Sequence, residues 1–322
     1  MKTAINLSTS SDDMQRFSST ASLLDLMEGI DGIELMCFDE DIRGIIPKEK
    51  VLGVHMGYFP YWVDFWNGDY ETLDREFGSQ EIWEAHYGGA TPEAILTRYR
   101  QDLANAHRWG AKYVVFHVSD ATIAETFTWQ YHHTDEEVID ATCEMLNELL
   151  KDENGELLFL VENLWQPGFS FTRPEITKRL LDGIQYANKG IMLDTGHLLH
   201  TNTKLRTQEE GIAYIHSLLD AHGDLCQHIK GIHLNQSLTG PYCEDFMRDP
   251  PKLADTYEQR TCQMFLHAFS VDKHLPFTAP GVRELVNRID PAYLTFEFIT
   301  SNAKEHRAYL DVQLQALQGG GT

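Results

Sequence analysis

The sequence has no long hydrophobic run and no excess of basic residues. No stretch approaches the roughly 18 apolar residues that a membrane-spanning helix needs, and the first fourteen residues lack the apolar centre of a signal peptide. The 322 residues carry 26 Lys and Arg against 49 Asp and Glu, a formal net charge of −23. Because proteins that bind nucleic acid usually present a basic face, we expect neither a membrane partner nor duplex DNA as a partner.

Cysteine and glycine-rich motifs are also scarce. The five cysteines include no Cys-x-x-Cys pair, so we expect neither a disulfide framework nor a cysteine zinc knuckle. Neither the Gly-x-Gly-x-x-Gly dinucleotide motif nor the Walker lysine motif is present. The composition, 42% hydrophobic and 23% charged, is that of an ordinary globular protein. We expect a cytoplasmic protein, because thiols stay reduced in that compartment.

Eight short apolar runs alternate with helical patterns along the chain. The runs are near-continuous in Val, Ile, Leu and Phe, as in parallel strands that are covered on both faces. They span residues 3–7, 32–36, 51–55, 112–117, 157–162, 190–194, 229–233 and 293–297. Without repeats or a Pro/Gly linker, this order predicts an α/β protein with a single (β/α)8 TIM barrel over residues 1–318. Residues 319–322 are expected to form a flexible tail.

Two helices have recognisable ends. Thr91-Pro92-Glu93 supplies a capping residue, a proline at the first helical position and a first-turn acid, and Gly110 follows the last turn. Residues 134–137 form a capping-box pattern that opens a helix to about Lys151. Two loop insertions, at about 56–90 and 236–280, follow strands at the face where barrel active sites are built.

Six consecutive strands, the third to the eighth, end on a residue that can bind metal: His55, His117, Glu162, Asp194, His233 and Glu297. Barrel strands end at one mouth, so these side chains are expected to meet. Gly196 predicts a tight turn that folds His197 over the same mouth. The i, i+2 spacing places Asp272 and His274 on one side of an extended loop. Imidazole and carboxylate ligands together suit zinc, or alternatively manganese, iron or cobalt.

These motifs resemble the endonuclease IV family of the xylose-isomerase-like TIM barrels, a superfamily that also includes sugar-phosphate isomerases and epimerases. The resemblance spans roughly residues 30–300 and rests on VHMGY, FHVSD, VENLW, LDTGH, HLNQS, VDKH and FEF. Since that family holds three zinc ions, the resemblance implies two or three divalent ions per chain. The implied ligands are His55, His117, Glu162, Asp194, His197, His233, Asp272, His274 and Glu297. FHVSD departs from the family's His-Pro-Gly turn, and Gln236 replaces an aspartate.

The resemblance also assigns roles. Glu162 and Glu297 are the candidate catalytic carboxylates, and with Asp194 and His233 they form the ligand set common to the superfamily. The candidate substrate-binding residues are Tyr58, Trp62, Asn163 and Asn235, although both asparagines follow ligands and could hydrogen-bond to them instead. We expect Glu34 to orient a neighbouring residue and His200 to lie on a helix face. His132 and His133 are expected on a loop surface.

The segment 56–90 weighs against DNA repair. It holds seven acidic residues, one base, Arg75, and ten aromatic residues. A loop that faces phosphates normally supplies cations or backbone N–H groups. We therefore expect a lid over a small substrate or a subunit contact in a homo-oligomer, with a locally packed loop as the alternative.

Three functions are compatible with these observations. The full ligand series favours a multinuclear metal hydrolase of a small phosphoester-type substrate. The alternative is a sugar or sugar-phosphate isomerase or epimerase, which needs one divalent ion and two glutamates flanking the carbon that loses its proton. The third is an abasic-site endonuclease or an idle binding homologue.

Overall fold

The computed structural model describes residues 1–38 and 44–319, and its centre is a closed barrel of eight parallel strands in chain order. The strands are β1 Lys2–Ser8, β2 Gly32–Met36, β3 Val51–His55, β4 Tyr113–His117, β5 Leu158–Glu162, β6 Lys189–Asp194, β7 Ile229–His233 and β8 Tyr293–Phe296. Each expected strand is found within one residue of its predicted ends, and the single (β/α)8 barrel is confirmed. The expected tail lies outside the described residues from position 320 onward.

Helices surround the barrel and fill the two insertions. They are α1 Ser11–Gln15, α2 Thr20–Leu26, α3 Val63–Asn67, α4 Tyr70–Phe77, α5 Gln80–Tyr87, α6 Glu93–Trp109, α7 Ile123–Thr128, α8 Asp135–Leu149, α9 Pro174–Gly183, α10 Thr195–His200, α11 Gln208–His222, α12 Gly240–Arg248, α13 Tyr257–Val271, α14 Gly281–Ile289 and α15 Ala303–Gln318. Two 3-10 turns span Lys48–Lys50 and Gly223–His228.

The predicted helix ends are partly correct. The capping box of α8 is present, since Thr134 accepts from the Glu137 backbone N–H and the Glu137 side chain accepts in return, but the helix ends at Leu149. Thr91 does not cap α6. Pro92 occupies the N-cap position without a side-chain hydrogen bond, and Gly110 ends the helix in the left-handed region with φ 74°.

Strand residues alternate between two cores, as the period of two requires. Tyr113, Val115, Leu160 and Met192 fill the inside of the barrel, whereas their strand neighbours, such as Val114, pack outward against the helices. A Cβ atom at Gly53 would lie 2.2 Å from the Tyr113 ring, so glycine makes room for this large interior side chain. The inward series continues to the strand ends, where polar residues replace apolar ones.

The first insertion is largely a locally packed unit of α3, α4 and α5. Six of its aromatic side chains are buried: Tyr61, Trp62, Phe65, Phe77, Trp83 and Tyr87. Phe65 stacks on Tyr87 with ring centroids 3.9 Å apart, and Phe77 stacks on Tyr257 of α13 at 4.4 Å. These contacts support the alternative of a locally packed loop, whereas a lid or a subunit contact stays a prediction.

Candidate functional site

The nine residues of the predicted ligand set lie at one end of the barrel. They form four overlapping groups in which the ligand atoms lie within 4.8 Å of one another. The groups are His55 with His117 and Glu162; Glu162 with Asp194, His233 and Glu297; His197 with Asp272 and His274; and His55 with His233 and Glu297. The structure brings every predicted ligand to the barrel mouth, and metal binding by them remains a prediction.

Glu162 joins the first two groups. Its Oε2 atom lies 3.1 Å from His55 Nε2 and 3.0 Å from His117 Nε2, and its Oε1 atom lies 3.0 Å from His233 Nδ1. The register of the barrel produces this arrangement, because His117 is paired directly with Glu162 across β4 and β5. A carboxylate with one oxygen toward each group has the geometry of a bridging ligand.

His197 reaches the mouth through a helix, so the expected glycine turn is wrong. Asp194 ends β6 and caps α10, its side chain accepting from the His197 backbone N–H at 2.6 Å. Gly196 is not in the left-handed region. Its role is spatial, since a Cβ atom there would lie 1.8 Å from Asn235 Oδ1.

The third group is assembled around Asp272. Its Oδ2 atom lies 2.6 Å from His274 Nε2 and 3.1 Å from His197 Nε2. The loop is not simply extended, because His274 has φ 46° in the left-handed region. Ser237 donates to Asp272 Oδ1 at 2.9 Å and accepts from the His274 backbone N–H, a supporting role that the sequence did not reveal.

His200 lies in α10, as expected for a helix residue, but its side chain is buried against the third group. Only 2% of its surface is exposed, and its Nε2 atom lies 3.3 Å from Asp272 Oδ1. The sequence did not show this contact, because His200 lies in α10 and Asp272 lies at the end of α13. His200 holds the carboxylate on the side opposite the two candidate histidine ligands.

Glu34 contacts a candidate ligand, as expected. Its Oε1 atom lies 2.8 Å from His233 Nε2, while Oε2 accepts from Tyr113 at 2.7 Å and Thr295 at 2.9 Å. His233 therefore presents Nδ1 to Glu162 and to Glu297, from whose Oε2 it lies 3.2 Å. Tyr113 and Thr295 were missed by sequence reasoning, although they stand at inward positions of their strands.

Three of the four predicted substrate-binding residues are engaged elsewhere. The Asn163 amide pairs with the backbone of Asp194, accepting from N at 2.9 Å and donating to O at 3.0 Å. Asn235 donates to Asp194 Oδ2 at 2.8 Å. Trp62 is 3% exposed, and its indole N–H donates to the Ser119 carbonyl at 3.0 Å. Substrate binding by these three stays a prediction; in the structure the asparagines hold Asp194 in place.

Tyr58 is the remaining candidate, and it lines two cavities at the mouth. The larger cavity, of about 520 Å³, reaches His55 and His117. The smaller, of about 260 Å³, reaches His117, His197 and Asp272. Much of their wall is apolar or aromatic: Trp165, Met264, Phe265 and Phe269. Neither lysine nor arginine is among the described residues that line them.

The donor set fits divalent transition metals. Three carboxylates, those of Glu162, Asp194 and Glu297, converge in a buried site, where burial raises the pKa of Asp194 to about 8. Within the described part of the chain, Glu297 Oε2 and the Nδ1 atoms of His117 and His274 have no hydrogen-bond partner. A cation would satisfy the Glu297 oxygen and balance the converging negative charge, and mixed nitrogen and oxygen ligands suit zinc and its neighbours.

Solved structures with this fold share little sequence with the chain. A D-tagatose 3-epimerase-like protein is 15% identical over 99% of this chain and 98% of its own, with a TM-score of 0.52. The IOLI protein with a binding zinc atom is 14% identical over the whole of both chains, with a TM-score of 0.57. D-psicose 3-epimerase with D-tagatose from Clostridium cellulolyticum H10 is 13% identical over 98% and 99%, with a TM-score of 0.50. Comparison with curated proteins gave no sequence match.

Across residues 1–38 and 44–319, no helix is long and apolar enough to cross a membrane.

A family model described as xylose isomerase-like TIM barrel matches residues 70–305, well over half of the chain. The matched region includes all the candidate ligands except His55. Neither comparison distinguishes the endonuclease IV branch that the ligand set resembles. The closed barrel and the family match agree, and this chain belongs to the xylose isomerase-like TIM barrel family.

Proposed function

We propose that the protein is a metal-dependent isomerase or epimerase of a small, uncharged, sugar-like substrate. The observation that carries this proposal is the pair Glu162 and Glu297, two carboxylates that share a ligand group with Asp194 and His233 at the barrel mouth. The solved epimerases of the same fold also support it. They favour this alternative over the multinuclear hydrolase that the sequence suggested first.

The two glutamates would carry the proton chemistry. One carboxylate accepts the proton from the carbon next to the substrate carbonyl, and the other returns a proton to the opposite face or to the neighbouring carbon. A divalent ion, when bound, would polarise that carbonyl and stabilise the negative charge that develops on it. Atoms balance, because the substrate loses one proton and regains one. Asn163, Asn235 and Glu34 would keep the ligands in position.

The cavity wall indicates an uncharged substrate. A phosphate or carboxylate group is usually held by arginine, lysine or converging N–H groups, and the described wall supplies neither arginine nor lysine while Glu76 adds an acid. The rings of Tyr58 and Trp165 offer apolar faces for the C–H side of a sugar ring or for another apolar part of the substrate.

Hydrogen exchange with solvent tests this proposal. The metal-loaded enzyme is incubated in D2O with a panel of ketoses and aldoses, and NMR follows deuterium at the carbons next to the carbonyl. Deuterium incorporation and a new epimer or isomer are expected, and both should be lost in Glu162→Gln and Glu297→Gln. Absence of exchange across the panel, together with release of phosphate or alcohol from phosphoesters, would replace the proposal by the hydrolase.

A multinuclear hydrolase is the second candidate, because two further ligand groups flank the shared one. His55 with His117 and His197 with Asp272 and His274 supply more ligands than one ion can coordinate. In that case a two-metal or three-metal site would activate water and hold the leaving oxygen. The phosphoester arm of the same experiment distinguishes the two candidates.

The cysteines bear on the proposed cellular compartment. All five cysteines are free thiols, which supports a reducing compartment such as the cytoplasm. The partner is proposed to be a small molecule, and assembly into a homo-oligomer remains a prediction.

A further inference from the structure

A second cluster of histidine and carboxylate side chains lies apart from the barrel-mouth ligands. We call it the outer histidine cluster; its members are Asp64, Asp120, Glu125, His132 and His133. Asp64 belongs to α3 in the first insertion, Asp120 precedes α7, Glu125 lies in α7, and the histidines lie between α7 and α8. The expectation that His132 and His133 are loop-surface residues is wrong for His133, whose side chain is 12% exposed.

Both imidazoles point the same ring nitrogen at one carboxylate. His132 Nε2 lies 3.2 Å from Asp64 Oδ2, and His133 Nε2 lies 3.2 Å from Asp64 Oδ1. One ligand atom from each of these three residues lies within 4.8 Å of the other two, the spacing of a group that can hold a metal ion. The Asp64 side chain is 9% exposed, so the carboxylate is removed from most of the solvent.

The other nitrogen of each ring meets a different carboxylate. His132 Nδ1 lies 2.7 Å from Glu125 Oε1, and His133 Nδ1 lies 2.9 Å from Asp120 Oδ2. Histidine ligands of metals usually donate this second N–H to a carboxylate or carbonyl, which fixes the tautomer and leaves Nε2 free to coordinate. Two histidines with this arrangement around one aspartate match that pattern.

Two charge states could account for these distances. Either both rings are imidazolium ions, or both are neutral and a divalent cation lies between Nε2 of each ring and Asp64. The net charge is the same in the two states. The ring centroids are only 3.9 Å apart, however, so two imidazolium ions would repel each other at close range. One shared cation removes that repulsion.

We propose that the outer histidine cluster binds one divalent transition-metal ion, with zinc as the expected occupant, through His132 Nε2, His133 Nε2 and the Asp64 carboxylate. Three protein ligands leave a fourth position of a tetrahedral ion for water. Solvent can reach it past His132, whose side chain is 40% exposed. The site is independent of the proposed function at the barrel mouth.

The ion would fasten the first insertion to the barrel. Asp120 already accepts the backbone N–H groups of Trp62 and Val63, at 2.6 and 2.9 Å, where α3 begins. Tyr61 donates its hydroxyl to Asp64, and Tyr61 lines the larger cavity. Metal at Asp64 would therefore hold one wall of the cavity against the segment that joins α7 and α8.

Metal content and metal-dependent stability test this proposal. The wild-type chain, Asp64→Asn and the matched exposed control Asp69→Asn are purified without a metal-binding tag, loaded with Zn2+ and measured by elemental analysis. We expect Asp64→Asn to lose about one ion per chain and most of the zinc-induced rise in Tm, with the control unchanged. Co2+ loading should show a visible absorption component that Asp64→Asn lacks and Glu297→Gln retains.

A second variant keeps the test decisive if Asp64→Asn fails to fold. His132→Gln removes the more exposed ligand and should release the same ion at a chelator concentration at least about tenfold lower than the wild type. Equal metal content in all variants, together with the same zinc-induced change in Tm in Asp64→Asn and the wild type, would overturn the proposal. The cluster would then be a pair of imidazolium ions. Loss of ions only in Glu297→Gln would likewise overturn the proposal, because it would assign all the bound metal to the barrel mouth.

Discussion

Glu34 Oε1 lies 2.8 Å from His233 Nε2 beneath the candidate metal centre. The contact determines which nitrogen of the ring faces the other ligands, because Nδ1 is then left 3.0 Å from Glu162 Oε1 and 3.2 Å from Glu297 Oε2. A carboxylate behind a histidine ligand raises its basicity and fixes its orientation. Glu34 therefore acts on the centre through His233 and is a positioning residue.

Replacing Glu34 by Gln should weaken metal binding without removing a ligand. The substitution keeps the size of the side chain and removes its charge, so we expect a loss of about 10- to 100-fold in metal affinity. Chelator competition followed by elemental analysis measures it. Tyr113→Phe, which removes one hydrogen bond to Glu34 but keeps the carboxylate, should show a smaller loss. Equal affinities in all three proteins would contradict the assigned role.

Glu297→Gln should abolish activity and leave the fold intact. Glu297 directly follows β8, and its Oε2 atom has no hydrogen-bond partner in the described chain, so the isosteric amide costs little packing. Loss of a general acid or base typically costs about 10²–10⁴-fold in rate. Activity, circular dichroism and Tm are compared with those of Glu284→Gln, an exposed site on α14. An active variant with normal metal content would remove Glu297 from the centre.

The barrel and the candidate ligands were predictable because they depend on local patterns. Continuous apolar runs specify buried parallel strands, and the strands of a barrel end at one mouth. Residues at strand ends, such as His117 and Glu162, therefore meet irrespective of the loop conformations. The period of two along each strand also places Glu34 on the inner face. These inferences need no knowledge of long-range packing.

The errors arose where contacts join distant segments. The sequence left Asn163 and Asn235 open to substrate binding or to hydrogen bonds with a ligand, and only the structure shows that Asp194 lies between them and uses their amides. His133 looked like a loop residue because its partner Asp64 is 69 positions away. A pattern along the chain identifies side chains that can bind metal or substrate. It does not show which of their hydrogen bonds are already made with groups distant in the sequence.

The barrel mouth should hold two or three ions. Nine ligand-type residues in four overlapping groups exceed what a single four-coordinate ion needs. Elemental analysis in the Asp64→Asn background counts these ions without a contribution from the outer histidine cluster. His274→Ala should reduce the count by about one. A value of one ion that His274→Ala leaves unchanged would restrict the centre to the group containing Glu162 and Asp194.

Stability at the outer histidine cluster should depend on pH in opposite ways with and without zinc. In the metal-free protein, burial alone would lower the pKa of His133, but Asp120 and Asp64 raise it to about 10 from 6.5. This stabilisation is present below about pH 6.5 and is lost as pH rises through 10. His132 and Glu125 complete the charges around the ring. Zinc requires both rings neutral, so its affinity should instead fall as pH falls.

Thermal unfolding distinguishes these behaviours. Tm is measured at pH 6 and pH 8, with zinc and with chelator, for the wild-type chain and Asp64→Asn. The zinc-induced rise in Tm should be larger at pH 8, and Asp64→Asn should destabilise the chelated protein at both values. A zinc effect that is larger at pH 6 would contradict coordination by these histidines.

Duplex DNA with an abasic site should bind weakly or not at all, despite the ligand set that resembles endonuclease IV. Specific DNA interfaces draw much of their affinity from lysine and arginine at the phosphates. The exposed face of the first insertion instead presents Asp69, Glu71, Asp74 and Glu81, and its single base, Arg75, is paired with Glu71 at 3.2 Å. Metal ions can hold one phosphate at the centre, but the flanking duplex would face these carboxylates.

Binding and incision at low salt provide the measurement, because low salt favours any electrostatic contact with the phosphates. We expect no incision of the abasic duplex under conditions in which the small-molecule panel is tested. Reversing two exposed charges, with Asp69→Lys and Glu81→Lys, should increase nonspecific DNA binding and steepen its salt dependence if repulsion is the cause. Efficient incision by the unmodified enzyme, at enzyme concentrations well below that of the DNA, would refute the small-molecule proposal. It would show that the surface charge does not keep the duplex away from the ions at the mouth.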